Sequence, residues 1–99
     1  MRSRLVLAAL TLLAFPLASI AQGADAGRDL AGTCSACHNI TGHAVTGMPG
    51  IAGRSKEALL RTLKDFKEGK RPATVMHQLA KGYTDGQLEL IAAYFAAQK

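Results

Sequence analysis

In the second half of the chain, apolar residues recur every three or four positions, the spacing of helices with one buried face. Ser55 is placed to cap the first of these helices and Gly69 to end it. The apolar stripe of this helix consists of Leu59, Leu60, Leu63 and Phe66. Residues 84–87, Thr-Asp-Gly-Gln, form a capping box for the last helix. The stripe of the last helix consists of Leu88, Ile91, Ala92 and Phe95. A shorter helix is predicted over residues 75–81, ended by Gly82.

The first half of the chain contains one further helical segment and a long loop. We predict a short helix capped by Asp25, with Leu30 one turn before residue 34 and directed to the same side. Residues 42–53 are rich in glycine, contain Pro49 and show no sustained period, so they indicate irregular chain. Because no segment shows strand alternation and no repeat is present, the pattern predicts one all-α domain.

The N-terminal segment has the pattern of an export signal. Arg2 and Arg4 precede an apolar run of 16 residues from Leu5 to Ile20, and small residues stand at positions 19 and 21, which predicts cleavage after Ala21. A membrane anchor is the alternative, but the run contains a proline and is shorter than the roughly 20 residues needed to span a bilayer. We therefore expect a signal peptide over residues 1–21, a domain over 22–99, a periplasmic location and no stable membrane insertion.

The net charge of the chain says little about its binding partners. Loss of Arg2 and Arg4 with the signal would lower the formal charge from +5 to +3, and no nucleic-acid partner is expected. The remaining basic residues are concentrated within positions 54–71, where a solvated helix face is the default interpretation. The functional alternative is a docking surface for an acidic redox partner, where such charges would mainly raise the association rate.

Residues 34–38, Cys-Ser-Ala-Cys-His, carry the most informative chemistry, because this is the spacing of c-type haem attachment. Two thiols one helical turn apart can add to the two vinyl groups of haem, and the adjacent imidazole can ligate the iron. The sequence predicts one covalently bound haem c per chain, attached through Cys34 and Cys37, with His38 as an axial ligand.

A disulfide, half of a zinc site and a thioredoxin-like redox site are the alternatives for this motif. A zinc site needs further ligands, yet the chain has only two cysteines, and His43 and His77 have no finger-like spacing from them. A thioredoxin-like site would be expected beside a strand of a βαβ unit. With haem bound, the short mature chain would gain a large apolar plate, so we expect the apoprotein to be poorly folded.

The second axial ligand decides between electron transfer and ligand binding at an open iron. Beyond Met1, the methionines are Met48 and Met76, and either could instead fill a gap in the core. Met48 lies on the loop that follows His38, from which the opposite face of haem is awkward to reach. Met76 lies beyond an intervening helix and is the preferred ligand, with His77 as its nearest rival. His43 is expected on the surface.

The order of these features resembles the class I monohaem cytochromes c. In that family a Pro-x-Leu-x-Gly segment follows the haem motif, and residues 49–53, Pro-Gly-Ile-Ala-Gly, resemble it. The resemblance implies an all-α fold of short helices wrapped around one covalently attached haem. It also implies that the Pro49 carbonyl accepts a hydrogen bond from His38, that Met76 is the distal ligand, and that the first helix packs on the last through Leu30, Ile91 and Tyr94. The family's small helix residue corresponds to Ala26, with Gly27 next to it.

Further segments are similar to the cytochrome subunit of flavocytochrome c sulfide dehydrogenases. The most specific is Ala-Lys-Gly-Tyr at residues 80–83. This resemblance implies a non-catalytic electron-transfer protein that accepts single electrons from a flavoprotein sulfide dehydrogenase subunit. Two alternatives remain: a freestanding soluble shuttle serving another oxidase or reductase, and a five-coordinate haem enzyme or gas-binding protein. The last requires that Met76 is not a ligand.

Overall fold

The computed structural model describes residues 17–99 of the chain. Its helices are α1 (Leu17–Ala31), α2 (Ser35–His38), α3 (Lys56–Lys67), α4 (Met76–Lys81) and α5 (Asp85–Ala96). Within residues 17–99 the β geometry is limited to one isolated antiparallel bridge between Val45 and Met48. The described part of the chain is therefore all-α, as predicted.

Helix α5 lies at the centre of the packing. Helices α1 and α3 both contact α5, and α4 contacts α3. The predicted stripe of α5 is confirmed, because its four members are each 3% exposed or less. Ala31 of α1 and Leu59 of α3 complete the buried cluster, and Leu30 and Tyr94 pack against its edge. The contact predicted between the first and last helices is thus present.

The predicted helix ends of α3 and α5 are also present. The Ser55 hydroxyl accepts a hydrogen bond from the Ala58 amide at 3.1 Å, and Gly69 follows α3 with φ +75°. At the start of α5, the Thr84 hydroxyl accepts from the Gln87 amide at 3.1 Å, and the Gln87 side-chain oxygen accepts from the Thr84 amide at 2.9 Å. These bonds satisfy amides that the first helical turn leaves without intrahelical partners.

Two ion pairs join α3 to α5 at the surface. The Lys56 ammonium lies 3.0 Å from Glu89, and the Lys67 ammonium lies 3.0 Å from Asp85. Lys67 holds the pKa of Asp85 below its usual value through a hydrogen bond and its charge. Exposed pairs of this kind contribute little stability. They join the two ends of α3 to α5.

The start of α1 differs from the prediction. The helix begins at Leu17, so Asp25 lies inside it and is not its cap. The reason is local, since residues 17–22 include leucine, alanine and glutamine, which are good helix formers that extend the helix toward the N-terminus. Most of the predicted export signal, residues 1–16, lies outside the described residues, and cleavage after Ala21 stays a prediction. No helix in residues 17–99 is long and apolar enough to cross a membrane.

The fourth member of the α3 stripe also differs. Leu59 is buried and its two leucine neighbours in the stripe pack against the core, but Phe66 lies outside that cluster and is half-buried. The Arg71 guanidinium carbon is 5.4 Å from the centre of the Phe66 ring. Phe66 lies in the last turn of α3, where the chain turns back, and a cation covers its ring there.

The crossing of α1 and α5 depends on a residue without a side chain. Gly27 is buried, and a Cβ atom built on it would lie 2.9 Å from the Leu90 carbonyl oxygen and 3.7 Å from the Tyr94 Cβ. The small residue at the crossing is therefore Gly27, one position after the Ala26 that the family pattern indicates. Ala26 itself is half-buried.

Replacing Gly27 by alanine should destabilise the protein. The added methyl group meets backbone of α5, which cannot move aside as a side-chain end can, and overpacking of this kind typically costs about 1–3 kcal/mol. The measurement is denaturant unfolding of the haem-loaded protein. Gly86→Ala is the matched control, because the nearest atom to its added Cβ is the Thr84 hydroxyl at 3.9 Å. Equal stability of the two variants would contradict a tight crossing at Gly27.

Candidate haem site

The Cys34–His38 segment forms a single helical turn. The Cys37 and His38 amides both donate to the Cys34 carbonyl, at 3.2 and 2.8 Å, so Cys34 opens the turn and His38 closes α2. Both cysteines are free thiols. The turn therefore presents two thiols one turn apart followed directly by an imidazole, and the disulfide alternative is not formed.

The two thiols differ in their surroundings. Cys34 is half-buried against the core cluster, whereas Cys37 is exposed. Burial raises the pKa of the Cys34 thiol, and a hydrogen bond with Thr33 partly offsets this effect.

The imidazole of His38 carries an unsatisfied polar atom. Its Nδ1 is buried and has no hydrogen-bond partner within the described structure. When one ring nitrogen of a histidine binds a metal, the other usually donates to an acceptor that fixes the ring. The resemblance assigns that acceptor to the Pro49 carbonyl. This bond is not formed here, so the role of Pro49 stays a prediction for the haem-loaded protein.

The loop after His38 is tied to α5 by backbone and side-chain hydrogen bonds. The Tyr94 hydroxyl donates to the Ile40 carbonyl at 3.0 Å, and the Gly53 amide donates to the Phe95 carbonyl at 3.1 Å. Within the loop, the Gly42 carbonyl accepts from the amides of residues 51 and 52. Gly42 has φ +71°, and a Cβ there would lie 2.8 Å from the Phe95 ring, so both backbone and packing require glycine.

The candidate distal ligands lie on two different segments. Met76 begins α4 and is half-buried, whereas Met48 lies in the loop after His38, where its amide and carbonyl bond to Val45. His77 follows Met76, and its Nδ1 is buried without a partner among the described residues. His43 is exposed, as expected. Met76 remains the predicted ligand, and His77 remains its rival.

Apolar side chains are available beside these candidate ligands. Val45 is 39% exposed, Val75 45% and Leu79 51%, although each is a large hydrophobic residue. Two of the three flank Met76 in sequence, and the third is in the loop after His38. Free thiols at the right spacing, two buried imidazole nitrogens without partners and apolar surface on both ligand-bearing segments fit a haem group.

The basic residues of positions 54–71 do not form a uniform positive surface. Lys56 and Lys67 pair with acidic residues of α5, and Lys70 pairs with Glu68 at 2.7 Å. On the outer face of α3 a shallow groove has mixed charge. It is lined by Glu57, Leu60, Arg61, Lys64, Asp65 and Glu68. This arrangement favours the interpretation of a solvated helix face.

Two tyrosine hydroxyls near the motif were not predicted from the sequence. Tyr94 was expected only as a packing residue, yet its hydroxyl bonds Ile40, two positions after His38. Tyr83 forms a hydrogen bond with Thr33, the residue before Cys34. In the sequence, Tyr94 lies beside an apolar stripe and Tyr83 lies just after a helix end. These positions do not indicate which distant group each hydroxyl binds.

The fold and the site together define a c-type haem protein. The cytochrome subunit of sulfide dehydrogenase of Chlorobaculum tepidum is 44% identical over 69 residues, covering 70% of this chain and 63% of that protein. Cytochrome c4 of Pseudomonas aeruginosa is 40% identical over 100 residues, covering all of this chain and 50% of that protein. Cytochrome c-554(548) of Halomonas halodenitrificans is 35% identical over 80 residues, covering 77% of this chain and 96% of that protein.

The chain belongs to the class I cytochromes c. Its cofactor is covalently bound haem c, and the family consists of electron-transfer proteins, which confirms the predicted class, fold and cofactor. No protein-family model matches the chain. The chain spans 63% of the length of the sulfide dehydrogenase subunit and half of the length of cytochrome c4.

Proposed function

We propose that this chain is a periplasmic single-electron carrier and that it serves as the haem subunit of a flavoprotein sulfide dehydrogenase. The observation that carries the electron-transfer role is the helical turn of residues 34–38, with its free thiols and its buried, unpartnered histidine nitrogen. When bound, haem c supplies an iron that exchanges single electrons between its ferric and ferrous states.

The protein's own residues then have three tasks. Cys34 and Cys37 would hold the cofactor at the start of α2. His38 would bind its iron, and Met76 would bind it from the start of α4. Iron held by two protein side chains would suit electron transfer without transformation of a substrate on this chain.

The segments on either side of His38 are held in place by the rest of the fold. Helix α2 follows directly on α1, and the loop after it is fastened to α5 through Tyr94 and Gly53. These hydrogen bonds would keep the His38 imidazole in one position when haem is bound. A ligand that moves little would favour rapid electron exchange.

The proposed role in sulfide dehydrogenase is supported by a relative of the chain. The Chlorobaculum protein is itself the cytochrome subunit of a sulfide dehydrogenase, and it is 44% identical over the matched residues. In such a complex the flavoprotein subunit would oxidise sulfide and this chain would remove the electrons. Export to the periplasm, with cleavage after Ala21, would leave residues 22–99 as the mature electron carrier.

Met76→Ala should abolish the thioether-to-ferric-iron absorption band completely and lower the reduction potential, because the soft sulfur ligand favours ferrous iron. The measurement is the visible spectrum of the ferric protein together with a redox titration. Met48→Ala and His77→Ala are matched controls that remove the rival groups, and both should keep the band. A band that survives in Met76→Ala but disappears in Met48→Ala would reassign the ligand.

The subunit role is tested by capture from the native periplasm. Haem-loaded protein should retain a flavoprotein in about equal amount, and sulfide added to the retained complex should reduce the haem. An unrelated cytochrome c on the same support controls for nonspecific adsorption. If the chain captures no flavoprotein and is reduced only in transient encounters, it is a freestanding shuttle and the subunit role is wrong.

A further inference from the structure

Helix α4 contributes little to the buried core of the protein. Of its six residues, Ala80 is buried, whereas Leu79 is 51% exposed although it is a large hydrophobic residue. Its packing partner is α3. The helix ends at Gly82, and the next residue, Tyr83, packs against the core cluster. The position of Met76 at the other end of α4 therefore depends on how firmly residues 80–83 are fixed.

The Tyr83 hydroxyl joins this segment to the haem attachment segment. It forms a hydrogen bond with the Thr33 hydroxyl, fifty positions away in sequence. The Thr33 hydroxyl also donates to the Leu30 carbonyl at 3.0 Å. Thr33 directly precedes Cys34, whose amide donates to the Ala31 carbonyl at 3.0 Å. The hydrogen bond from Tyr83 therefore reaches a segment that is itself hydrogen-bonded to the end of α1.

We propose that Tyr83 is a positioning residue that keeps Met76 on the haem iron. The Tyr83 hydroxyl fixes the end of α4 to the residue next to Cys34, so the distal ligand and the thioether attachment share one rigid link. Loss of the link would leave α4 held by its packing on α3. Met76 would then leave the iron more often. This inference rests on the proposed ligation by Met76.

Tyr94 provides a natural comparison. Its hydroxyl also makes a single hydrogen bond to a distant segment, but that bond ends on Ile40, on the loop that follows His38. The two tyrosines therefore fasten opposite ends of the Cys34–His38 segment. Only Tyr83 belongs to the segment that carries Met76.

The test is the rate at which cyanide replaces the thioether ligand in the ferric, haem-loaded protein, measured at saturating cyanide by loss of the thioether-to-iron band. Under these conditions the rate reports how often Met76 leaves the iron. Tyr83→Phe should raise the limiting rate roughly 2- to 10-fold, the range expected for loss of one hydrogen bond. Thr33→Val should do the same, and the double variant should be no faster than either single variant.

Tyr94→Phe is the matched comparison, because it also loses one hydroxyl and one long-range hydrogen bond, but on the His38 side, and it should raise the rate less than Tyr83→Phe does. Equal acceleration in Tyr83→Phe and Tyr94→Phe would overturn the inference, since both would then act through general stability. An unchanged rate in Tyr83→Phe, with the band present in the wild type, would overturn it while leaving Met76 ligation intact. Absence of the band from the wild type would overturn both.

Discussion

The packing of α1 and α3 onto α5 is the interaction on which the rest of the structure depends. The α5 stripe supplies four of the six residues of the buried cluster. The same helix also holds the loop after His38 through hydrogen bonds, and ion pairs join it to both ends of α3. Because α1 crosses α5 through Gly27, the chain that leaves α1 delivers Cys34 to the edge of the core.

Helices α2 and α4 depend on something beyond this core. Helix α2 contributes no buried residue, and α4 contributes Ala80. These two helices carry the predicted thioether cysteine Cys37 and the predicted iron ligands His38 and Met76. Their exposed apolar neighbours are what an apolar plate such as haem would cover. We infer that the buried side chains pack α1, α3 and α5 together, and that haem c provides the apolar surface on which α2 and α4 pack.

Local patterns were sufficient to predict most of this architecture. Ser55, Gly69 and the capping box at Thr84 act within a few residues of themselves, so their roles follow from short-range chemistry. The stripe of α5 was equally clear because helical periodicity alone defines it. The attachment motif was specific for the same reason, since its five residues must lie within one turn.

Features that depend on distant partners were harder to predict. Asp25 has the chemistry of a cap, but in the full chain the helix begins at Leu17, so Asp25 lies inside it. Phe66 has the right spacing for the core, but the chain beyond α3 places Arg71 over it. The close approach at Gly27, one position from the expected one, and the bond from Tyr83 to Thr33 each require knowledge of which segments meet. Periodicity does not contain that information.

The most direct test of the central claim is amide hydrogen exchange of the mature chain with and without covalently bound haem. If the haem completes the core, the haem-free chain should lose protection throughout α2 and α4 and should lose cooperative unfolding, while the haem-loaded chain retains both. The same protection pattern and the same cooperative transition in both forms would show that the polypeptide core is sufficient by itself. That result would contradict the account.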